Sequence, residues 1–229
     1  MPKIIVVVGF GPGNSTAIAA KFGTAGFTVA IVGRNAERLA AGVAGLKARG
    51  IAAAAFTGDA ADADSMRATI RRIHAELGPI TVLHWNAFGG ENVGDLLAAD
   101  SNEVRGVFDV AVVGLLAALR ETLADLKSAG DGALLVTNGG FGDATPETDT
   151  FVTSIHAPGI GLANAAKNKL AGLLAERLKG EGVYVGEAVI YGTVKGTPSG
   201  GTGTIDPSRV ADTFWELYQA RGDTRAAIT

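Results

Sequence analysis

Residues 6–16 read Val6-Val7-Val8-Gly9-Phe10-Gly11-Pro12-Gly13-Asn14-Ser15-Thr16, and this stretch decides the fold. A β-branched apolar run ends at a glycine cluster, and a helix-like pattern follows at once over residues 17–22. Strand, tight glycine turn and helix are the context that a dinucleotide-binding loop requires. Glycine permits positive φ and lets backbone N–H groups approach a pyrophosphate, and the helix N-terminus adds partial positive charge. The stretch therefore predicts a nucleotide site, with a tight turn that binds nothing as the alternative.

The polar side chains after the glycines have two uses open to them. Asn14 and Ser15 can each cap the helix or hydrogen-bond to phosphate. Within this stretch we assign cofactor binding to Gly9, Gly11, Gly13, Asn14 and Ser15.

Size and composition limit the classes of protein to which the chain can belong. At 229 residues it is long enough for a substantial core, and we treat residues 1–229 as a single domain. A net charge of −3 gives no electrostatic reason to expect a nucleic-acid partner. Cysteine is absent and the three histidines are far apart, so we expect no disulfide, no cysteine nucleophile and no metal site.

Targeting and membrane signals are also absent from the sequence. The first strand begins at about Lys3, which leaves no room for a signal peptide. No apolar run approaches the ~18 residues of a membrane span. We therefore expect a cytoplasmic protein with no membrane partner.

Strand-like and helix-like segments alternate along the whole chain. Six strands are predicted, at residues 3–8, 27–32, 51–56, 80–85, 133–137 and 183–190. Amphipathic helical patterns fill the intervals, and Pro207 opens a last helix that ends near Ala220. This βαβ repetition predicts an α/β, single-domain, Rossmann-type fold, a doubly wound parallel sheet with helices on both faces. The glycine-rich cofactor half is about residues 1–90.

Three segments of the second half are predicted to contact substrate or partners. A long helix, Glu103–Leu126, is apolar nearly all round at its middle, which predicts burial against the sheet and against a second subunit. We expect a homodimer or homotetramer through this helix, with burial inside one chain as the alternative. Residues 138–158 are predicted to be a long loop, and residues 191–206 to form a second substrate loop with a flexible run at 196–204.

Ligands of open parallel sheets bind outside the carboxyl ends of the strands. Arg34, just past strand two, lies where the adenosine ribose of a cofactor is expected, and arginine suits a 2′-phosphate. This favours NADP(H) over NAD(H), although Arg34 could also be an ordinary surface residue. Asp59 could accept from the adenine amino group or cap the next helix. Asn86 could close the cofactor site by backbone contact or stabilise a turn.

These motifs resemble those of the short-chain dehydrogenase/reductase family, whose members have a Rossmann fold and use NAD(P). Gly9–Ser15 lies on the family's glycine motif, with Ser15 where a third glycine is usual. Asp59-Ala60 lies on the adenine-binding aspartate motif, and Asn86-Ala87-Phe88 on the Asn-Ala-Gly motif. Tyr191-Gly192-Thr193-Val194 lies on the Pro-Gly stretch before the substrate loop. The resemblance implies cofactor contacts by Ala60, Ala87, Thr193 and Val194.

The catalytic residues of the family match this sequence at one position only. Lys167 fits the family lysine, which holds the nicotinamide ribose hydroxyls. By that alignment Ala163 stands at the tyrosine position, Gly139 or Asn138 at the serine position and Ala111 at the asparagine position. In the family the tyrosine transfers the proton and the serine polarises the carbonyl, which alanine and glycine cannot do.

Other residues could replace the missing groups. Besides Lys167, the candidates for a catalytic role are Tyr191, His156 and Asn138, and Ser154 lies on the same loop as His156. Each also has an ordinary explanation, since a loop histidine is usually exposed and a tyrosine at a strand end usually packs. His84 and Trp85 are expected in the core.

Two functions fit these residues. The first is an NADP(H)-dependent oxidoreductase with a divergent active site, acting on a small carbonyl or alcohol. The second is a non-catalytic NADP(H)-binding protein, either a redox sensor or a partner subunit. An open apolar cavity with one polar group would favour the enzyme, and a pocket filled by Phe88, Phe141 or Phe151 the sensor.

Overall fold

The computed structural model describes residues 2–197 and 203–229. The strands of this part are β1 Ile4–Val8, β2 Thr28–Gly33, β3 Ala53–Thr57, β4 Val82–Trp85, β5 Ala133–Gly139, β6 Tyr184–Ile190 and β7 Arg225–Ile228. Its α-helices are α1 Asn14–Thr24, α2 Ala36–Ala48, α3 Ala63–Leu77, α4 Ser101–Phe108, α5 Gly114–Ser128, α6 Pro146–Ser154, α7 Pro158–Leu178 and α8 Pro207–Ala220.

The strands form one parallel sheet in the order β3-β2-β1-β4-β5-β6-β7. All five residues of β1 are buried, as the apolar run predicts. The strand order reverses between β1 and β4, and this is where a doubly wound sheet opens a crevice at its carboxyl edge. The predicted Rossmann-type fold is confirmed.

Each face of the sheet has its own apolar core. Helices α1, α2 and α8 cover one face through residues such as Phe22 and Phe214. Helices α3, α5 and α7 cover the other through residues such as Ile70 and Leu115. His84 and Trp85 are fully buried, so their expected place in the core is confirmed. Burial lowers the pKa of His84 to about 3, and its Nε2 lies 3.0 Å from Thr137 Oγ1.

Helix starts follow the sequence signals with one exception. Asn35 caps α2, where its side chain accepts a hydrogen bond from the backbone of Arg38, and Asp62 caps α3. The cap of α1, however, is Gly13, with no side-chain hydrogen bond. Capping by Asn14 or Ser15 was therefore a wrong alternative, since the glycine turn places both residues inside the helix.

The long helix predicted over residues 103–126 is interrupted. A capping box formed by Asp100 and Glu103 starts α4 at Ser101, and a π-helical segment, Asp109–Val113, separates α4 from α5. A Cβ at Gly114 would lie 1.9 Å from the carbonyl oxygen of Ala60, so this junction packs directly on the chain after β3.

The segment 138–158 is not an unstructured loop. Its first residues extend β5 and form a 3₁₀ turn at Gly140–Gly142. Helix α6 then follows, with the Thr145 side chain as its cap and Pro146 in its first turn. Thr-Pro-Glu is a helix-start signal, and it is obscured here because the helix is short and polar.

Strand β7 has no counterpart among the predicted strands. It is a short edge strand, pairing Arg225–Ile228 with the last four residues of β6. Its sequence, Arg-Ala-Ala-Ile, lacks a β-branched run, so its extended form depends on β6. No helix in the described part of the chain is both long and apolar enough to span a membrane.

Candidate functional site

The glycine turn lies at the carboxyl edge between β1 and α1. The backbone nitrogens of Gly9 and Phe10 donate to the carbonyl of Val32, at 3.0 and 2.9 Å. Gly9 has φ 83°, and a Cβ there would lie 2.5 Å from the backbone nitrogen of Ala87. Asn86 Nδ2 donates to the Gly9 carbonyl at 3.2 Å. The first glycine, Asn86 and Ala87 are thus brought together, as both motifs require.

The second glycine, Gly11, leaves open space beside the start of α1. A Cβ at Gly11 would meet no atom within 4 Å, so the backbone there is accessible to a ligand. Ser15 is buried, and its hydroxyl accepts from Gly11 N and donates to Gly11 O, both at 2.8 Å. Its side chain therefore holds the turn and is already engaged. With Gly13 as a cap that lacks a side chain, the first amides of α1 have no side-chain partner.

Arg34 follows β2 at the same edge. Its side chain is exposed and forms no hydrogen bond or ion pair with the residues that the structure describes. Asn35 holds the backbone directly after it by capping α2. An unengaged guanidinium at this edge is available to an anionic ligand.

Asp59 and Ala60 follow β3. Asp59 Oδ1 accepts from the backbone of Ala61 at 3.0 Å, and Ser65 Oγ accepts from Asp59 N at 3.0 Å. The helix cap belongs to Asp62, so the capping alternative for Asp59 was wrong. Asp59 shapes the turn with one carboxylate oxygen, which leaves the other for a ligand.

Buried asparagine oxygens mark this edge of the sheet. Asn14 Oδ1, Asn86 Oδ1 and Asn138 Oδ1 are all sealed from solvent and have no hydrogen-bond partner in the described structure. Unpartnered buried acceptors are costly, which points to a donor supplied by a ligand. A nicotinamide dinucleotide carries amino, carboxamide and ribose hydroxyl donors, so these residues fit such a cofactor.

Lys167 lies on α7 beneath the end of β5. Its side chain is 3% exposed, and Nζ donates to the Thr137 carbonyl at 3.1 Å. Burial lowers the pKa of Lys167 to about 8, and the charge of Glu187 opposes that shift. An ammonium has three donors, so two remain for a ligand.

Asn138 belongs to a buried polar network. Its Nδ2 donates to Glu187 Oε1 at 2.7 Å and to the Asn164 carbonyl at 2.9 Å. Glu187 is fully buried, and Arg225 Nε donates to its second oxygen at 2.7 Å. Because both amide hydrogens of Asn138 are engaged within the protein, the catalytic role predicted for Asn138 would need one of them to be released. Sequence reasoning missed Glu187, and the only signal was a carboxylate inside an apolar strand.

Two of the positions that the resemblance assigns to catalytic residues are apolar and sealed. Ala163 and Ala111 are 1% and 2% exposed and pack together with Val93 and Val107. Gly90 and Gly159 are in close contact and hold the segment after β4 against the start of α7. Ala163 and Ala111 therefore lie in an apolar cluster and offer no polar group.

Tyr191 follows β6 and keeps a polar contact at the site. Its hydroxyl donates to Asp143 Oδ2 at 2.9 Å, and its ring covers Gly140, where a Cβ would lie 2.4 Å from the ring. Partial burial, and then the hydrogen bond to Asp143, raise the pKa of Tyr191. With 43% of its surface exposed, the phenol is accessible.

His156 and Ser154 lie at the end of α6. His156 is exposed, has φ 55°, and packs against Gly94. Ser154 Oγ donates to the Phe151 carbonyl at 2.7 Å. In the described structure neither side chain hydrogen-bonds to Lys167 or Tyr191, so His156 and Ser154 do not join their polar contacts.

Thr193 and Val194 begin the second substrate loop. Val194 pairs with Ile205, and Ile205 N donates to the Thr193 carbonyl at 3.1 Å. A Cβ at Gly13 would lie 2.6 Å from the methyl group of Thr197, so this loop contacts the glycine turn. The central part of the predicted flexible run, residues 198–202, lies outside the described residues.

Aromatic side chains form an apolar rim at the same edge. Phe141 and Phe151 meet edge to face with ring centroids 5.7 Å apart. Phe88 and Phe151 are 54% and 52% exposed, so neither fills a closed pocket. Within residues 2–197 and 203–229, no three His, Cys, Asp or Glu side chains are grouped to hold a metal ion.

Comparisons with known proteins agree with this geometry. The family model for short chain dehydrogenase matches residues 3–197. The 2,3-dihydro-2,3-dihydroxybenzoate dehydrogenase of Bacillus subtilis is 30% identical over 146 residues, which are 64% of this chain but only 55% of that enzyme. A 3-oxoacyl-(acyl-carrier-protein) reductase of Staphylococcus aureus is 26% identical over 172 residues, 75% of this chain and 70% of the reductase.

Among solved structures, an NADPH-bound short-chain oxidoreductase of Pseudomonas aeruginosa PAO1, described as containing an atypical catalytic center, is similar throughout. It is 20% identical, with a TM-score of 0.86 over 99% of this chain and 95% of that one. At this identity the likeness is one of fold. The family model covers most of the chain, and the protein therefore belongs to the short-chain dehydrogenase family.

Proposed function

We propose that this protein is an NADP(H)-dependent oxidoreductase with an atypical active site, which transfers hydride to or from a small carbonyl or alcohol substrate. The observation that carries the proposal is the cradle at the carboxyl edge. It combines the open glycine turn, three unpartnered asparagine oxygens and an unengaged Arg34. The NADPH-bound structural neighbour supports the same cofactor.

Each part of the cradle has one role in holding the cofactor. Gly9, Gly11, Gly13 and the first amides of α1 would bind the pyrophosphate, and Arg34 the 2′-phosphate. Further contacts follow the family pattern, with Asp59 and Ala60 at the adenine, Asn86 and Ala87 at the adenosine side, Lys167 at the nicotinamide ribose, and Thr193 and Val194 at the carboxamide. When bound, NADP(H) supplies or accepts the hydride.

Proton transfer is assigned to Tyr191. Its hydroxyl is accessible and donates to Asp143, whereas Asn138 is buried with both amide hydrogens engaged, and His156 lies at the end of α6. In the reduction direction the phenol turns its O–H from Asp143 to the substrate oxygen, gives up the proton and regains one from solvent. Asp143 orients the hydroxyl, and its charge favours the protonated phenol.

The atypical character of the site follows from three positions. Ala163, Gly139 and Ala111 stand where the family pattern has tyrosine, serine and asparagine. The burial of Ala163 and Ala111 in one apolar cluster with Val93 supports this assignment, because neither side chain offers a polar group to a substrate. The apolar rim favours a small substrate with an apolar part.

A non-catalytic NADP(H)-binding protein is the second candidate. The same sealed cluster around Ala163 favours it, since the usual proton donor cannot occupy its usual place. The half-exposed phenylalanines argue against it, because they leave the edge open.

Assembly is proposed through the helix predicted over residues 103–126. Phe108, Val113 and Leu173 are 37%, 43% and 58% exposed, on helical segments that pack against one another. Covering these side chains in a homodimer or homotetramer would remove apolar surface from water.

Calorimetric titration with NADPH and NADH tests the cofactor. We expect NADPH to bind more tightly than NADH. Arg34→Ala should lower the affinity for NADPH by about 10- to 100-fold, which is the usual effect of losing a charged hydrogen bond. NADH binding should not change. Arg72→Ala, an exposed arginine on α3, is the matched control. Equal binding of the two cofactors, or an Arg34→Ala variant that binds NADPH normally, would contradict the assignment.

A further inference from the structure

Asn164 is a buried polar residue that the function above does not use. It is 6% exposed, and its side-chain amide makes no hydrogen bond with any described residue. Neither amide atom is among the side-chain atoms that are both sealed from solvent and unpartnered, as Asn138 Oδ1 is. A buried amide without a described hydrogen-bond partner, next to the end of β5, points to a ligand.

The main chain holds Asn164 firmly. Its carbonyl accepts from Asn138 Nδ2 at 2.9 Å, which ties α7 to the end of β5. The 3₁₀ turn at Gly140–Gly142 packs directly on this part of α7, because a Cβ at Gly142 would lie 2.3 Å from the backbone nitrogen of Ala165. The side chain of Asn164 therefore projects from a rigid base, as a substrate-positioning group requires.

The amide occupies the space above Gly139. A Cβ at Gly139 would lie 2.8 Å from Asn164 Nδ2, closer than such contacts occur. No side chain fits at position 139 while Asn164 keeps this place. Lys167 lies one turn further along the same helix, and Tyr191 covers the neighbouring Gly140. Lys167, Asn164 and Tyr191 thus lie against Thr137, Gly139 and Gly140 in turn, at the end of β5.

We propose that Asn164 Nδ2 donates a hydrogen bond to the carbonyl oxygen of the substrate and so polarises the carbonyl. This inference rests on the proposed function. Carbonyl reduction forms a C–H bond with the hydride that NADPH gives up on oxidation to NADP⁺, and the carbonyl π pair moves to oxygen. The amide stabilises that developing charge, and the proton from Tyr191 completes the alcohol. The donor is neutral, so its contribution does not titrate.

The direct test is the side-chain amide NMR signal of Asn164. In the spectrum of ¹⁵N-labelled protein saturated with NADP⁺, the pair of side-chain amide signals that is missing from the Asn164→Ala variant belongs to Asn164. Acetophenone is the probe, and ethylbenzene, which has the same ring without the carbonyl, is its control. We expect a saturable shift with acetophenone and none with ethylbenzene. An Asn164 pair that acetophenone leaves unmoved, whether or not other signals respond, would overturn the proposal.

Cofactor affinity separates the proposal for Asn164 from the proposed function on which it rests. Asn164→Asp keeps the size but removes the donor, and Asn168→Ala is a matched change one turn away. We expect Asn164→Asp to bind NADPH as wild type does while it loses the tighter binding of acetophenone over ethylbenzene. Wild-type protein that fails to bind NADPH would overturn the proposed function. Normal NADPH binding with acetophenone preference kept in Asn164→Asp would overturn the role of Asn164 alone.

Discussion

At the scale of single residues, charge burial dominates the site. Glu187 is fully buried, and Lys167 and Arg225 approach it from α7 and β7. A buried carboxylate is costly unless it is paired and hydrogen-bonded, and here it has both an amide and a guanidinium partner. The network ties the end of β5, next to Gly139, to α7 and β7, so both oxygens of the Glu187 carboxylate are hydrogen-bonded.

His84 makes stability depend on pH. Its pKa is about 3 in the fold and about 6.5 in an unfolded chain, so the unfolded state binds more protons between these values. Stability is therefore complete above pH 6.5 and falls as the pH drops. Between pH 7 and 5 we expect His84 to lower the free energy of unfolding by about 2 kcal/mol. Urea denaturation of wild type and His84→Gln checks this, and an unchanged pH dependence in His84→Gln would contradict it.

The sequence could predict residues whose role is local, and not those whose role depends on distant partners. Gly9 and Asn35 serve the backbone beside them, through positive φ and a helix cap, and their types suffice to identify them. Asn138 and Asn164 acquire their roles from Glu187 and Gly139, which lie far away in the chain. Nothing in their local sequence distinguishes an amide whose hydrogens are engaged within the protein from one whose hydrogens are not.

At the scale of secondary structure, periodicity predicted the elements with strong apolar patterns. Strands β1 to β6 and helix α3, with Met66, Ile70 and Ile73 on one face, follow that pattern. The elements it missed are held by other means. Helix α6 depends on the Thr145 cap, and β7 on its pairing with β6. The π-helical segment at Asp109–Val113 has no periodic signature of its own.

Strand β7 is secured by an ion pair, which can be tested. Arg225→Met keeps most of the side-chain volume but leaves Glu187 buried without its guanidinium partner. Because half of the arginine is exposed, we expect a loss of about 2 kcal/mol rather than the larger cost of a fully buried pair. The double variant Glu187→Gln/Arg225→Met removes the buried charge and should recover part of the loss. Thermal denaturation in which the free energy of unfolding of Arg225→Met lies within about 0.5 kcal/mol of wild type, the range typical of surface substitutions, would contradict this.

At the scale of the whole molecule, the assembly is the first expectation to test. Leu173→Glu places a charge on the proposed contact surface, so we expect it to reduce a wild-type dimer or tetramer to monomers in sedimentation experiments. Leu97→Glu is the control, since Leu97 is fully exposed outside these helices. A monomeric wild type, or a Leu173→Glu variant that assembles normally, would contradict the proposed interface.

At the same scale, we propose that a cofactor edge of the family type is combined with an altered catalytic half. The first half has the glycine turn, Asn86 and Arg34, which is proposed to bind the 2′-phosphate of NADP(H). In the second half Ala163 lies in a sealed apolar cluster with Val93, Tyr191 is exposed and Asn164 is buried. The central claim is that this altered site still performs hydride transfer.

Deuterium transfer tests that claim most directly. NADPH deuterated at C4 on each face in turn is incubated with the enzyme and acetophenone, and the alcohol is analysed by mass spectrometry. We predict deuterium at the carbinol carbon from one face only, and at least tenfold slower transfer by Tyr191→Phe, since general acid catalysis contributes about 10²–10⁴-fold. Tight NADPH binding without transfer to acetophenone or to other small carbonyls would contradict the account and identify a cofactor-binding protein without catalysis.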